Sequence, residues 1–303
     1  MARLSRVGRT AARITARLAA GLALLVLLSV GAVYALTEWR MRRRFDVPAH
    51  RLAVATDSAS IARGERLATI RMCVACHGPG LAGHVEIDDP LVGRLAGPNL
   101  TRGGRGAELD DLDWERAVRH GVRRDGTPLL VMPAHEHAAM SDEDLGAIVA
   151  WARSLPPAPA SPPPSRAGPL VRALFLAGQV ILLPAERVAH AAPHPARVVP
   201  APTAEYGAYL APLCTGCHGE GFGGGRIPGT PPDWKPAANL TPAGIGHYTE
   251  ADFVRALRTG VRPGGAPIDR QMPWRNTARM TDVELRALYA YLRALPPREF
   301  GER

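Results

Sequence analysis

Aromatic residues make up only 5% of this 303-residue chain, and cysteine occurs just four times. The shortage of aromatic bulk points to some other filler for the interior. Strand-like alternation of apolar and polar residues is scarce, which sets an all-β fold aside. The folded body also lacks a basic stripe. The net charge is +9, yet residues 1–44 hold nine arginines against the single acid Glu38, a net +8 that leaves +1 for the other 259 residues. A nucleic-acid groove needs its positive charge on a folded domain, so no nucleic acid is expected as a partner. Glycine (31) and proline (29) are plentiful, as in loop-rich domains.

Between the arginines, Leu18 to Leu36 (LAAGLALLVLLSVGAVYAL) runs nineteen residues without a charge. As a helix it would reach about 28 Å at 1.5 Å per residue, close to the roughly 30 Å hydrocarbon core of a bilayer. A cleaved signal peptide has a shorter apolar region, about 7–15 residues ahead of a small-residue site; AVYA ending at Ala35 is such a site. The longer run and the arginine-rich stop behind it favour a retained anchor, and either reading exports the body of the protein. The expected organisation is a basic tail (1–17), a transmembrane anchor or signal (18–36), a juxtamembrane segment (37–54), a first domain (55–157), a linker with an apolar junction helix (158–199) and a second domain (200–299). The linker opens on PPAPASPPPSRAGP, which reads as stiff and extended. The apolar stretch 170–184 behind it is too short and too interrupted, by Arg172 and Gln179, to be a second span.

All four cysteines fall in two motifs, Cys73-Val-Ala-Cys76-His77 and Cys214-Thr-Gly-Cys217-His218. The repeat extends far beyond them at an offset of 139–141 residues. NLT recurs at Asn99 and Asn239, Met-Pro at Met132 and Met272, and MSDEDLGAIVAWARSLPP (140–157) matches MTDVELRALYAYLRALPP (280–297). This is a tandem duplication of a domain of about 100 residues. Ser141 with Asp144, and Thr281 with Glu284, have the form of capping boxes. Behind them the apolar residues keep a helical period up to a Pro-Pro stop. Two further helices per copy are expected, over 112–121 and 250–260, and leading into each CxxCH through Gly64 and Gly207. The domains read as all-α.

A CxxC pair alone suits a redox pair, half a zinc site or a disulfide. A thioredoxin-like pair belongs in a βαβ context, which is missing, and zinc would leave both histidines and the duplication unexplained. With histidine directly behind it, C-x-x-C-H is the attachment signal of c-type haem. The two thiols add across the vinyl groups on one edge of a porphyrin, and the adjacent imidazole lies under the ring as an iron ligand. Two haem c groups are therefore expected, on Cys73 and Cys76 and on Cys214 and Cys217, with His77 and His218 as axial ligands. They would also supply the missing core bulk. For the sixth iron position the leading candidates are Met132 and Met272, each in a Met-Pro turn in register with a haem motif. Met140 and Met280 compete but stand just before a helix N-cap. His135 and His137 offer a bis-histidine alternative that the second copy lacks. Asn99, Arg119, Asn239 and Arg258 are candidates for haem-propionate contacts, with turn formation and helix solvation as the alternative.

With these motifs each half resembles a class I cytochrome c domain. The resemblance implies terminal helices that cross, with Gly64 and Gly207 admitting Trp151 and Tyr291. The tandem arrangement is similar to the dihaem and trihaem cytochrome subunits of bacterial membrane-bound dehydrogenases, supported by PNLT, the GVRxxGxP run and MPW; a third CxxCH, as in the trihaem subunits, is not present. The resemblance implies an electron carrier rather than an enzyme, passing single electrons between redox partners (a dehydrogenase, an oxidase or another cytochrome). It would sit on the cytoplasmic (inner) membrane with its haem domains in the periplasm or on the outer face. The alternative is a dihaem enzyme of peroxidase type with one open iron, for which His135, Glu136 and His137 would be the acid–base groups.

Overall fold

The computed structural model describes residues 2–159 and 161–303. Helix α1 (Ala2–Met41) is one unbroken helix that extends past the apolar run on both sides. Its Arg9–Met41 portion is long and apolar enough to cross a membrane. Two mainly helical domains follow.

In the first domain α2 (Ser58–Ile70) crosses the closing helix α6 (Asp142–Ser154). The crossing depends on Gly64. A Cβ there would overlap the Ala147 carbonyl oxygen, lie 2.6 Å from its carbon and 2.9 Å from Trp151 Cβ. Helix α4 begins at Asp111–Glu115 and loosens to π pitch over Arg116–His120 before Gly121, at φ 66°, ends it. The first domain also holds strands that local alternation does not announce. β1 (His84–Asp89) pairs antiparallel with β2 (Gly93–Gly97), and β2 with β3 (Arg166–Ala167). The third strand comes from the end of the proline-rich linker. The linker lies on the first domain: Ala158 exchanges hydrogen bonds with Asn99 and Thr101, and Ser165 with the Ala96 backbone. Helix α7 (Pro169–Leu176) then packs against the end of α1.

The second domain repeats the plan without the sheet. Helix α8 (Ala204–Leu210) crosses α13 (Asp282–Ala294), and a Cβ on Gly207 would overlap the Ala287 oxygen and lie 2.6 Å from Tyr291 Cβ. Helix α11 (Glu250–Thr259) ends on Gly260 at φ 69°.

The domains share one hydrophobic core, running from Leu67, Ile70 and Met140 to Leu210, Met280 and Leu292. Their polar contacts are reciprocal. Arg66 of α2 pairs with Glu284 at the start of α13 (2.6 Å), while Tyr209 of α8 donates to Asp144 at the start of α6 (2.6 Å). Arg66 and Tyr209 each stand two residues after the crossing glycine, so the repeats meet about an approximate two-fold axis. The axis also explains a difference in capping. Thr281 and Glu284 form the expected complete box. Asp144 accepts instead from Arg63 and Tyr209, and the Ser141 N–H donates to the Tyr209 hydroxyl at 3.1 Å. In the first domain, the second domain completes the cap.

Candidate haem-binding sites

Each CxxCH forms a short helix, α3 (Cys73–His77) and the end of α9 (Pro212–His218). Met72, in the left-handed region at φ 64°, turns the chain from α2 into α3. None of the four cysteines is bridged. Burial pushes the Cys73 and Cys214 thiols up to about 12 and raises Cys76 and Cys217 as well.

The two histidines are held alike. His77 Nδ1 lies 2.9 Å from the Pro98 carbonyl, and His218 Nδ1 lies 2.7 Å from that of Ala238. A carbonyl only accepts, so Nδ1 carries the proton and Nε2 is the bare nitrogen. Burial lowers both imidazoles below their ordinary value and keeps them neutral. Metal-ligating histidines are held in this way, with the other ring nitrogen donating to a carbonyl that fixes the tautomer and the ring. A repeated local frame places those carbonyls. Gly83 and Gly224 donate to the His77 and His218 carbonyls (2.7 and 2.9 Å), and Leu100 and Leu240 donate to Leu81 and Phe222 (both 2.8 Å). Leu81 and Phe222 adopt φ 53° and 60°, which turns each into the core.

The Met-Pro turns share their backbone from the proline onward. Pro133 and Pro273 have φ −78° with ψ 55° and 53°, and Ala134 and Trp274 donate back to the Met132 and Met272 carbonyls at 2.7 and 2.8 Å. Each is an inverse γ-turn, with proline locking φ. Met132 and Met272 are half-buried on these turns. Met140 and Met280, by contrast, are 1% and 2% exposed within the hydrophobic core, where they serve as packing.

The four propionate candidates are committed to the protein itself. Asn99 Oδ1 accepts from the Thr101 backbone and hydroxyl (2.9 and 2.7 Å) and its Nδ2 donates to Ala158. Asn239 does the same with Thr241 and Arg298. These are turn-forming asparagines. Buried Arg119 donates twice to the Met140 carbonyl and to Asp142 (3.0, 2.7 and 2.8 Å). Arg258 donates to Ala278 and Asp282 (2.6 and 2.7 Å). Both arginines tie the middle helix to the start of the closing helix. Of the histidines without counterparts, His84 is exposed, His247 lines an open cleft beside Ala238 and Asn239, and His120 is buried at the junction against His190 at 3.0 Å.

Helix α5 (Ala134–His137) follows the first Met-Pro turn and packs on the CxxCH helix of the other domain. A Cβ on Gly216 would lie 2.7 Å from Glu136 Oε1. His137 is buried, its Nδ1 unpartnered, and burial drives its pKa down to about 3. Arg71, buried just before Cys73, stacks on Tyr209 with Nε and Nη2 unpartnered. No periodicity in the sequence marks Arg71 or Glu136, because their setting arises only when the two domains meet.

Glu136 yields a pH prediction. Burial raises it from an ordinary 4.5 to about 7, so the folded state binds a proton that the unfolded chain releases. The favourable protonated state is fully present below about pH 4.5, and stability falls as pH rises from there to 7. The loss is on the order of 2–3 kcal/mol. Denaturant midpoints of wild type and Glu136→Gln, compared between pH 4.5 and 8, are expected to converge at the acid end and separate above pH 7, the variant being the more stable there. Parallel curves would show that the carboxyl is ionised throughout.

These residues fit a covalently held haem in each domain: two protonated thiols and an oriented, neutral imidazole on one short helix. Comparisons with known proteins agree. Residues 59–151 match the family described as cytochrome c oxidase, cbb3-type, subunit III, and residues 204–296 match cytochrome c. The chain is 29% identical over 277 residues to the alcohol dehydrogenase (quinone) cytochrome c subunit of Gluconacetobacter polyoxogenes, covering 80% of this chain and 57% of that one. It is 39% identical over 94 residues to the subunit of the same name in Gluconobacter oxydans (strain 621H), 28% of this chain and 20% of the relative. With the fructose dehydrogenase cytochrome subunit of Gluconobacter japonicus it shares 37% identity over 101 residues, 30% and 21% of the two chains. The chain thus spans from about a fifth to somewhat over half the length of these relatives. It carries two tandem cytochrome c domains, with a haem c in each.

Proposed function

We propose that the two domains form a two-step electron relay, with His77 and Met132 as axial ligands in the first and His218 and Met272 in the second. The relay serves a membrane-bound dehydrogenase, from which it takes single electrons for a downstream acceptor, a quinone, an oxidase or another cytochrome. Helix α1 holds the protein on the cytoplasmic membrane with both domains on the outer face. When bound, the haems supply reversible one-electron chemistry at iron. The protein's part is to clamp the axial groups: the Nδ1–carbonyl bond fixes each imidazole, and the proline-locked turn fixes each methionine.

The observation that carries this reading is the repetition of both clamps, residue for residue, in the two copies. A peroxidase requires one copy to differ, with an iron open to substrate and acid–base groups above it. Of the residues nominated for that work, Glu136 lies on the CxxCH helix of the second domain and His137 is buried. The dehydrogenase partner is suggested by the names of the relatives, which are cytochrome subunits of alcohol and fructose dehydrogenases.

Redox titration with optical spectra of wild type, Met132→His and Met272→His tests the ligand set. A thioether ligand raises the potential relative to a second imidazole. Each substitution is therefore expected to lower one of two waves and leave the other in place. Two unchanged waves in either variant would remove that methionine from the iron. Binding of carbon monoxide by one haem of the reduced wild type, without loss of a ligand, would return the peroxidase reading.

A further inference from the structure

The surface of α7 is inverted. A helix on a water-facing surface turns its charges outward and its apolar stripe inward. In α7 the one charged residue, Arg172, is buried against α1. It donates from Nη1 to Thr37 Oγ1 (2.6 Å) and from Nη2 to Glu38 (3.3 Å), and its guanidinium lies 4.6 Å from the Tyr34 ring centre. Phe175 faces the same way, beneath the guanidinium of Arg40. The opposite, outward side carries Leu170, Ala173, Leu174 and, just past the helix end, Ala177, at i, i+3, i+4 and i+7. Leu170 is 44% exposed, and the neighbouring Leu91, whose carbonyl accepts from the Leu170 N–H, is 60% exposed.

The place of this face along α1 identifies what covers it. Tyr34, Thr37 and Glu38 straddle the end of the uncharged run 18–36, where a spanning helix leaves the hydrocarbon. Trp39, 68% exposed, stands there too, with Arg40, Arg42, Arg43 and Arg44 beyond it. Interfacial tryptophan and a collar of arginines for anionic headgroups mark that depth of a bilayer. We propose that α7 is an interfacial helix, its outward face seated in the headgroup–acyl boundary, so that the first domain rests directly on the membrane.

The inference rests on the reading of α1 as a retained anchor and goes beyond it. The Arg172 clamp makes the first domain a rigid extension of the anchor and so fixes the orientation of that haem domain relative to the lipid. It also bears on processing. Cleavage after Ala35 would take away Tyr34 and Val33, whose carbonyl accepts from the Thr37 hydroxyl at 2.7 Å, and so open the clamp.

The test uses the full-length protein with both haems attached, reconstituted in phosphatidylcholine–phosphatidylglycerol vesicles. With the native thiols consumed as thioethers, an introduced cysteine takes a nitroxide label. Labels are placed singly through Leu25→Cys, Ala173→Cys, Ala177→Cys and Val199→Cys, all at exposed positions. The ratio of collision rates with oxygen and with a water-soluble nickel chelate is read at each. High ratios at 25, 173 and 177 with a low ratio at 199 are expected. A high ratio at 25 with low ratios at 173 and 177 leaves the anchor standing and overturns the seating of α7. A low ratio at 25, or a mature chain that starts beyond residue 35, defeats the anchor and the seating together.

Discussion

Replacing Gly64 or Gly207 by alanine is expected to cost about 3 kcal/mol, the upper end of what overpacking costs, whereas the same change in an ordinary helix stabilises by up to about 1 kcal/mol. A methyl group at either position meets backbone. The Ala147 carbonyl carbon is 2.6 Å from the Gly64 Cβ site, and that of Ala287 is 2.7 Å from the Gly207 site. A flexible side chain would yield at such a distance, but a carbonyl inside a helix does not. The crossing has to open, and the packing of Leu67 on Leu145 and Ile148, or of Leu210 on Leu285 and Leu288, opens with it. Because one core spans both domains, either substitution is expected to lower a single cooperative transition rather than split it. Guanidinium unfolding followed by far-ultraviolet circular dichroism and by haem absorbance measures both points. A Gly64→Ala variant within 1 kcal/mol of wild type would mean that the helices cross further apart. Two separate transitions would mean that the domains fold independently.

Much of this arrangement is legible in the sequence, because it depends on near neighbours. Capping residues three apart, an apolar face of helical period, a glycine at the end of the middle helix and the CxxCH spacing are all local patterns. Tandem duplication doubles each signal. What escapes is non-local or depends on direction. β3 is two residues at the end of a proline-rich linker, and only the approach of β2 makes it a strand. Asn99 and Arg119 have the right chemistry for an anionic group. They also bond to Ala158, Met140 and Asp142, and composition does not reveal which way a guanidinium points. The relation between the domains is the largest such gap. Tyr209 completing the cap of α6, and Glu136 lying over Gly216, follow from an approximate two-fold axis that neither repeat encodes alone. Helix α7 shows the same limit: its apolar length is visible in the sequence, whereas the inward turn of Arg172 is not.

The cysteine pairs bring the other large effect. The mature protein is expected to carry two porphyrins by mass, Cys73→Ala/Cys76→Ala to carry one, and Cys214→Ala/Cys217→Ala to carry the other. Each double variant keeps the attachment residues of the remaining site intact, so the loss is of one chromophore and not of both. The destabilisation is not confined in the same way. Cys73 and Cys214 both pack against the common core, so a porphyrin held by either would lie against it. Removing one leaves a void in a core whose density is normally that of a crystal. Both variants are therefore expected to unfold at lower denaturant while the retained haem keeps its own ligands and potential. The potentials separate this outcome from general misfolding. If the surviving haem shifts as much as it would on losing its methionine, damage has crossed the domain interface and the relay is one electronic unit. If two adducts persist in either double variant, the thiols are not the attachment points and the assignment of both sites falls.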